Sequence, residues 1–392
     1  MATVTSTKEL RQFNKKRVVE ALRNQDACTK TEVAAELGLS FSTVSNICNG
    51  LIAENLLLAK ESGLNSGGRS PYLLHLNPDG RGTLCLDFTN PNRVGVAFVN
   101  LHNRILARET LSFTGLPRSF PELSDLIKLT STRLLQEIHL SERALLGTGA
   151  VIPGVYSNHQ RIVTNCTNPW IEGLDLKAIL AEIFPYPVVW VENDANLAAI
   201  GASLFARTSP TVLFIYIGQG IGLGIVHKGK IFQGARGFAG EIGHIPLGDP
   251  TLKCYCGNTG CLEGILSVPG ILRRYQKNRG APSGDLDRKE VKDFLAAVSR
   301  GGRMITGLAE EVGLLIGKAA SIMANIIDPE AIYVGGELLP FLKLAFPSAT
   351  AEFARRVLLT EARSISLRLA EATEDLLYAG CAETVFQHWI PE

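Results

Sequence analysis

One strand pattern occurs twice in this chain of 392 residues. The first copy is "LCLDFTNPNRVGVAFVNLHNRILARETLSF" from Leu84, in which three apolar runs alternate with turn residues; a helical stretch and the strand "LLGTGAVIPG" follow. The second copy begins with "TVLFIYIGQGIGLGIVHKGKIFQG" at Thr211 and ends with the strand "AIYVGGELL" from Ala331. Three strands, then helix and strand, repeated once, predict an α/β chain with two similar lobes facing a cleft.

A smaller unit with helix signals precedes the two lobes, in "TKTEVAAELGLSFSTVSNICNGLIAENLLL" from Thr29. Thr29 and Glu32 can form a capping box, Gly38 can end a first helix, and Ser40 can cap a second. The next segment, "LLLAKESGLNSGGRSPYLLHLNP", has the pattern of a strand, a glycine-rich tip and a strand. This order predicts a winged helix-turn-helix.

The second helix of that unit is apolar on one face and carries small polar residues on the other. Such a polar face can enter the major groove of DNA without a bulky side chain blocking the approach. The alternative is an ordinary amphipathic helix pair with a structural or protein-binding role. The predicted DNA contacts are Ser40, Ser42, Thr43, Ser45, Asn46 and Asn49, with Arg69 at the tip of the wing. Phosphate contacts are expected from Lys15, Lys16, Arg17 and Arg23 in the preceding helix, and from Lys60 beside the wing.

The overall charge is balanced, with 39 Lys and Arg against 38 Asp and Glu, so the chain is not globally basic. We find no run of about 18 apolar residues that could span a bilayer. The start of the chain lacks the pattern of a secretory signal. We therefore expect a cytoplasmic protein without membrane insertion, in which clustered cysteines serve as metal ligands or reactive groups rather than disulfides.

Three cysteines and a histidine follow the pattern H-x9-C-x-C-x4-C, with His244, Cys254, Cys256 and Cys261. Zn²⁺ favours a tetrahedral shell of imidazole nitrogen and thiolate sulfur, and four protein ligands leave no open position for water. Glycines between the second and third cysteines allow the sharp turn that such a shell needs. A redox thiol pair or buried free thiols are the alternatives, although cysteines separated by one residue are poorly spaced for a disulfide. The pattern predicts structural zinc.

Five motifs in one order carry a resemblance to a known family: "VENDANLAAIG" from Val191, "IGQGIGLGIV" from Ile217, "GFAGEIGH" from Gly237, "CYCGNTGCLE" from Cys254 and "IYVGGELL" from Ile332. The chain resembles the ROK family of repressors, open reading frames and sugar kinases. The resemblance implies a duplicated actin-like or hexokinase-like (ribonuclease H-like) two-lobe fold behind a winged helix-turn-helix. The predicted domains are residues 1–80 for the DNA-binding unit, 81–190 for the first lobe, completed by the carboxyl-terminal helix, and 191–392 for the second lobe with the zinc loop.

A sugar is recognised by carboxylates, amides and imidazoles that divide its hydroxyl groups into donors and acceptors. The predicted sugar contacts are Gly154, Asn193, Asp194, Glu241, His244 and Glu263, and the resemblance agrees with them. In the family's sugar kinases, the position matching Asp194 is the general base. Two structural alternatives remain: Glu241 could cap a turn, and Asn193 could satisfy loop backbone.

The kinase phosphate loop is altered in this sequence. The family pattern, approximately D-x-G-G-T, corresponds here to "DFTNPNR", in which Asp87 and Thr89 remain, both glycines are missing and Pro91 removes an N–H donor. In the second glycine-rich turn, Gln219 stands where kinases usually carry threonine. We therefore predict no kinase activity, and we interpret Asp194 as a vestigial base that accepts a hydrogen bond from the sugar.

The preferred function is a sugar-responsive transcriptional regulator, with repression as the commoner arrangement in the family. The expected partners are operator DNA, a small sugar effector and a second copy of the chain, in a homodimer or a dimer of dimers. A sugar kinase with an added DNA module and an interaction protein with a remnant pocket are the rivals. A regulatory protein partner is a further possibility, because the tail "AETVFQHWIPE" carries an aromatic stripe that could dock a protein or pack on the neighbouring lobe.

Overall fold

The computed structural model describes residues 6–23, 25, 27–61, 72–113, 120–184, 188–205, 210–280, 288–358 and 364–391. A helical unit lies at the amino-terminal end, followed by two α/β lobes, each built on a five-stranded sheet. Arg69, at the predicted tip of the wing, lies outside the described residues.

The amino-terminal unit has three helices and a two-stranded wing. The Thr29 hydroxyl accepts from the backbone N–H of Glu32, the Glu32 carboxylate accepts from that of Thr29, and Gly38 takes a left-handed conformation. The Ser40 hydroxyl caps the third helix by accepting from the backbone N–H of Thr43. These contacts place the ends of the helices where the sequence predicted them. The elements are α1 (Thr7–Arg23), α2 (Lys30–Leu37), α3 (Phe41–Ala53), β1 (Leu57–Glu61) and β2 (Tyr72–Leu76).

The first lobe is built on a mixed sheet with the strand order β5-β4-β3-β6-β9. Its first three strands form an antiparallel meander, and the last two are parallel to the central strand of the sheet. A two-stranded ribbon follows the fourth strand. The strands of this lobe are β3 (Gly82–Asp87), β4 (Arg93–Asn100), β5 (Ile105–Ser112), β6 (Leu145–Ile152), β7 (Val155–Ser157), β8 (Ile162–Thr164) and β9 (Val189–Asn193).

The second lobe repeats this topology with the strand order β12-β11-β10-β13-β14. Again three antiparallel strands come first, and two parallel strands extend the sheet from the other side of the first strand. The predicted duplicated two-lobe fold is therefore confirmed. The strands are β10 (Thr211–Ile217), β11 (Ile221–His227), β12 (Lys230–Ile231), β13 (Ala331–Gly336) and β14 (Ser366–Leu369).

Two helices that cross at very short distance join the lobes. A Cβ atom added to Gly380 would lie 1.9 Å from the Leu197 carbonyl oxygen, and one added to Gly201 would lie 2.1 Å from the Leu376 carbonyl oxygen. Only glycine permits this approach, so the two backbones pack directly on each other. The helices of the lobes are α4 (Phe120–Glu137), α5 (Leu176–Ile183), α6 (Asp194–Phe205), α7 (Glu263–Leu266), α8 (Val268–Asn278), α9 (Arg288–Arg300), α10 (Arg303–Ile327), α11 (Leu339–Arg356) and α12 (Thr373–His388).

The carboxyl-terminal helix α12 also contacts the amino-terminal unit. Phe386 and Trp389 are buried in one hydrophobic cluster with Val19 and Leu22 of α1. Of the two roles predicted for this aromatic stripe, packing within the chain is the one observed, against α1 as well as against Leu146 of the first lobe, and it takes both rings out of solvent. Among the helices that the structure describes, none is long and apolar enough to cross a membrane.

Candidate functional site

A cleft of about 650 Å³ opens between the lobes. Its lining comes from the β6–β7 turn, the junction of β9 and α6, the β10–β11 hairpin, and the loop that precedes the cysteine-rich segment. Five of the six predicted sugar contacts line it, namely Gly154, Asn193, Asp194, Glu241 and Glu263. Residues far apart in the chain thus converge on one polar cavity.

Asn193 positions the backbone at the base of this cleft. Its side-chain amide donates to the Gly154 carbonyl oxygen at 3.1 Å, and its amide oxygen accepts from the backbone N–H of Asn196 at 3.2 Å. The structural alternative considered for Asn193 is thus present together with its place in the cleft lining. Gly154 cannot carry a side chain, since a Cβ atom would lie 2.8 Å from Cα of Cys166.

Asp194 begins helix α6 and is buried in the cleft lining. Its carboxylate accepts from the backbone N–H of Ala195 at 2.8 Å. Burial raises the pKa of Asp194 to about 7, and the nearby carboxylates of Asp87 and Glu337 add to the effect. A carboxyl group that titrates near neutral pH can act as a base or as a hydrogen-bond acceptor from a hydroxyl.

His244 lies behind the cleft lining rather than in it. Its Nδ1 atom is 3.7 Å from Sγ of Cys254, whereas its Nε2 atom is 3.8 Å from Oε2 of Glu241 and 3.4 Å from the hydroxyl of Tyr255. One ring nitrogen therefore faces the cysteines and the other faces the cleft residues. The Glu241 side chain makes no cap contact with the turn that it begins, unlike the structural alternative.

Glu263, at the start of α7, stabilises the β10–β11 turn through a hydrogen bond to the backbone. Its carboxylate accepts from the backbone N–H of Ile221 at 3.1 Å. A Cβ atom at Gly220 would lie 2.8 Å from Oε2 of Glu263, so a side chain at this position would displace the carboxylate from the turn.

The structure brings further residues to the cleft that the sequence analysis did not identify. Tyr255 lies between two of the cysteines and exposes its ring there. Glu192 accepts from the side chains of Asn196 and Gln233 at 3.0 and 2.9 Å. The Thr167 hydroxyl is buried without a hydrogen-bond partner among the described residues, so it is available to a ligand. The signals for these residues in the sequence were the positions of Tyr255 within the cysteine motif and of Glu192 within "VENDANLAAIG".

The four predicted metal ligands converge. Their ligand atoms lie within 4.8 Å of one another, and Sγ of Cys256 is 3.7 Å from Sγ of Cys261. Tetrahedral zinc with bonds of about 2.3 Å separates its sulfur ligands by about 3.8 Å, so the donor set fits this ion. Gly257 and Gly260 have φ of 93° and 74°, as the turn between the cysteines requires.

The polar face of α3 is open to solvent. Ser42, Asn46 and Asn49 are exposed, while Val44, Ile47, Cys48 and Leu51 are buried as the helical pattern predicted. Lys30, which the sequence analysis did not select, donates to Oγ of Ser45 at 3.2 Å and to Oδ1 of Asn49 at 2.8 Å. This lysine places positive charge on the same face and leaves the Asn49 amide nitrogen as a donor.

Internal contacts engage the four basic residues of α1 for which phosphate contacts were expected. Lys15 is buried and pairs with Glu54, and the Arg17 guanidinium donates to the Leu37 carbonyl oxygen at 2.9 Å. Lys16 donates to the carbonyl oxygen of Gln387, and Arg23 pairs with Glu383 at 2.6 Å. The structure therefore disfavours phosphate contacts from Lys15 and Arg23, because internal carboxylates neutralise both charges. Lys16 and Arg17 are half-buried and keep further N–H donors, so their phosphate contacts stay a prediction. Lys60 of β1 is exposed.

The comparisons with known proteins agree with this architecture. The model of the ROK family matches residues 91–384. The "Xylose repressor" of Caldicellulosiruptor bescii is 26% identical over 388 residues, which cover 96% of each chain. The crystal structure of a ROK family transcriptional regulator, described as a homologue of the Escherichia coli MLC protein, has a TM-score of 0.74 at 21% identity and covers 97% of this chain and 99% of that one. A ROK family glucokinase from Streptomyces griseus in complex with glucose and AMPPNP has a TM-score of 0.65 at 25% identity, over 78% of this chain and 99% of that one.

Proposed function

This chain belongs to the ROK family, and from that premise we propose that it is a sugar-responsive DNA-binding transcriptional repressor. Helix α3 reads an operator, and a sugar in the cleft between the lobes changes the affinity of the protein for that operator. Such coupling requires the sugar to bind the DNA-competent and DNA-incompetent forms with different affinities. A repressor of this kind acts in the cytoplasm, where the chromosome is.

The observation that carries the proposal is the presence, in one chain, of an exposed polar helix face and a carboxylate-lined cleft. Ser42, Asn46 and Asn49 stand on that helix face, with Lys30 beside them. Hydroxyl and amide groups of this kind hydrogen-bond to base edges in the major groove, and the lysine contacts a phosphate. Thr43 and Ser45 of the same helix and Ser40 at its N-cap contact the DNA backbone or bases, and Arg69, which lies outside the described residues, is a further predicted contact.

The sugar is held by the cleft residues that the sequence selected. Asp194, Glu241 and Glu263 accept hydrogen bonds from sugar hydroxyl groups, the Asn193 amide and the Gly154 backbone shape the base of the cleft, and Thr167 adds a buried hydroxyl. His244 supports Glu241 through Nε2 and binds zinc through Nδ1. Zinc held by His244, Cys254, Cys256 and Cys261 supplies a rigid link between the cleft and the cysteine loop.

The named relatives support a regulator over an enzyme. The xylose repressor matches almost the full length of this chain, including the DNA-binding unit, whereas the glucokinase structure covers 78% of it. A homodimer, or a dimer of dimers, would place two copies of α3 on a two-fold operator. Control by a regulatory protein is a further possibility for this chain, and its surface would lie away from the buried aromatic stripe.

Selection of binding sites from random double-stranded DNA by the purified full-length chain tests the proposal. We expect an enriched two-fold sequence, and release of that DNA when the correct member of a panel of pentoses, hexoses and amino sugars is added. Asn46→Ala should weaken binding to the enriched site by about 1 to 3 kcal/mol and reduce the preference over random DNA. Lys60→Ala, a change on the exposed side of the wing, should weaken binding to the enriched site and binding to random DNA by a similar factor.

Two results would reject the proposal. One is the absence of sequence enrichment above binding that salt abolishes, which would make the amino-terminal unit a structural module. The other is steady phosphorylation of a sugar by ATP, which would favour the rival function, a ROK-type sugar kinase with an added DNA-binding module.

A further inference from the structure

Two turns, one from each lobe, face each other, with their Asn90 and Gln219 side chains outside the lining of the sugar cleft. The first joins β3 to β4 and contains "NPN", and the second joins β10 to β11 and contains Gln219. These are the turns that would receive nucleotide phosphates if the chain kept the kinase pattern. Here a carboxylate from the end of β13 lies between them.

The Glu337 carboxylate receives donors from both turns. Nδ2 of Asn90 donates to it at 3.4 Å, and Nε2 of Gln219 donates to its two oxygens at 3.3 and 3.4 Å. Asn90 belongs to the first lobe, whereas Gln219 and Glu337 belong to the second. The contacts therefore connect the two lobes.

A guanidinium supplies positive charge at the same place. Burial disfavours the charge of Arg93, but the carboxylates of Asp87 and Glu337 outweigh burial and raise the pKa of Arg93. Two amide donors with a half-buried guanidinium nearby are the kind of surroundings that bind an anion. In this chain the anion is a side chain.

The surrounding backbone holds these groups in place. The Asn90 amide oxygen accepts from the backbone N–H of Asn92 at 2.9 Å, which leaves Nδ2 directed to Glu337. The backbone N–H of Glu337 donates to the Ile217 carbonyl oxygen at 3.0 Å. Gly336 has a φ of 150°, and a Cβ atom there would lie 1.8 Å from that same oxygen, so only glycine lets β13 deliver Glu337 to this position.

We propose that Asn90, Gln219 and Arg93 form an anion-binding site for a phosphate-like group, and that the chain fills this site with its own Glu337 carboxylate. The carboxylate excludes a nucleotide phosphate by occupying its place and by repelling its charge. It also fastens the first lobe to the second without any nucleotide.

Inorganic pyrophosphate is the probe that tests this inference. Glu337→Ala removes the internal anion and leaves its donors, so we expect a lower Tm that pyrophosphate restores in a saturable way. Pyrophosphate should bind this variant at least about tenfold tighter than it binds the native chain, because one negative charge has left the site. Chloride at the same ionic strength should have no such effect. Glu374→Ala is the matched control, since this partly buried carboxylate also acts on Arg93 but does not contact either turn.

A second measurement keeps the inference testable if Glu337→Ala does not fold. Asn90→Ala, Glu337→Gln and the double variant form a cycle in which the Tm losses of the single changes should be clearly non-additive if the two side chains act together across the lobes. Additive Tm losses would overturn the inference that Asn90 and Glu337 act together to connect the lobes. A folded Glu337→Ala that ignores pyrophosphate, or a Glu374→Ala control that binds pyrophosphate as tightly as Glu337→Ala does, would overturn the anion site. None of these outcomes depends on whether the protein binds DNA or sugar.

Discussion

At the residue scale, Asp194 links the cleft to pH. It is buried at the start of α6, and burial together with Asp87 and Glu337 raises its pKa from 3.8 to about 7. A raised pKa means that folding favours the protonated carboxyl group. The contribution of Asp194 to the stability of the free protein is therefore fully present below about pH 4 and is lost as the pH rises through about 7.

Sugar binding should depend on pH in the opposite direction. If the ionised carboxylate of Asp194 accepts a hydrogen bond from a sugar hydroxyl, the affinity should rise by about tenfold between about pH 6 and pH 8. The measurement is the sugar-induced increase in Tm over this range. Asp194→Asn, which keeps the size of the side chain, should bind more weakly and lose the pH dependence. A native affinity that stays constant across this range would contradict the role given to Asp194.

Tyr255 shows how one side chain can connect two sites. It lies between two metal ligands in the chain, yet its ring lines the cleft and meets the His244 ring edge-on at a centroid distance of 5.4 Å. Its hydroxyl lies 3.4 Å from Nε2 of His244. Movement of the cysteine loop would therefore move a wall of the cleft.

At the element scale, the cysteine loop is a short segment with little regular structure of its own. Within it, the backbone N–H of Cys254 donates to the Asn258 carbonyl oxygen at 2.8 Å, and that of Gly260 donates to the Leu252 carbonyl oxygen at 2.9 Å. The loop leads directly into α7. Leu262, just before this helix, and Leu266, at its end, are buried in the core of the second lobe. A metal bound by the four candidate ligands would therefore hold the entry to α7 and, with it, the carboxylate of Glu263.

Removal of zinc should weaken the cleft without unfolding the lobes. We expect Cys256→Ser to lose about one zinc per chain, to lower the Tm by several degrees and to weaken sugar binding by about tenfold or more. Metal analysis and thermal titration with the sugar measure these effects, and chelation of the native protein should reproduce them. Thr259→Ala, an exposed change in the same loop, is the control that keeps zinc. Full zinc content in Cys256→Ser, or normal sugar binding without zinc, would contradict this assignment.

At the scale of the whole molecule, the DNA-binding unit is docked on the first lobe rather than tethered to it. Arg23 of α1 donates to Glu383 of α12 at 2.6 Å and to the Leu101 carbonyl oxygen at 2.7 Å, and its guanidinium lies 4.1 Å from the centre of the Phe386 ring. Burial alone would raise the pKa of Glu383, but the charge and hydrogen bond of Arg23 outweigh burial, so the pKa of Glu383 is lowered. A buried ion pair of this kind fixes orientation, and loss of one partner leaves an unpaired charge.

The same helix reaches the cleft. His388, at the end of α12, stacks on Trp190 with ring centroids 3.6 Å apart, and Trp190 lines the cleft. A closure of the lobes that shifts Trp190 would therefore shift the part of α12 on which α1 rests. This chain of packed groups is the physical route that we infer from sugar to operator.

Glu383→Gln tests that route. The change should destabilise the protein by about 3 kcal/mol, because Arg23 is left buried without a charge partner. Operator binding should remain, but sugar should no longer release the operator. Titration of operator release with sugar measures the response. Arg108→Ala is the control, since its ion pair joins β5 to α12 at the exposed surface and is worth about 0 to 1 kcal/mol. This route would be contradicted if Glu383→Gln released the operator at the same sugar concentration as the native protein.

The sequence by itself determined the features that depend on local spacing. Capping residues set the ends of α2 and α3, the duplicated strand pattern set the two lobes, and the H-x9-C-x-C-x4-C spacing identified the four residues that converge in the candidate metal site. The caps, the alternation within each strand and the cysteine spacing are local signals, because hydrogen bonds, side-chain alternation and tight turns act between residues that are close in the chain. The five predicted lining residues of the cleft came from motifs that flank such turns.

Only the tertiary structure decided which partner each charged or aromatic side chain takes. The basic residues of α1 looked free in the sequence, yet Arg23 meets Glu383, which lies 360 positions away. Trp190, Tyr255 and Glu337 gained their roles from neighbours that folding supplies. A charge binds the nearest acceptor in space, and spacing along the chain does not fix that neighbour once helices from both ends of the sequence pack together.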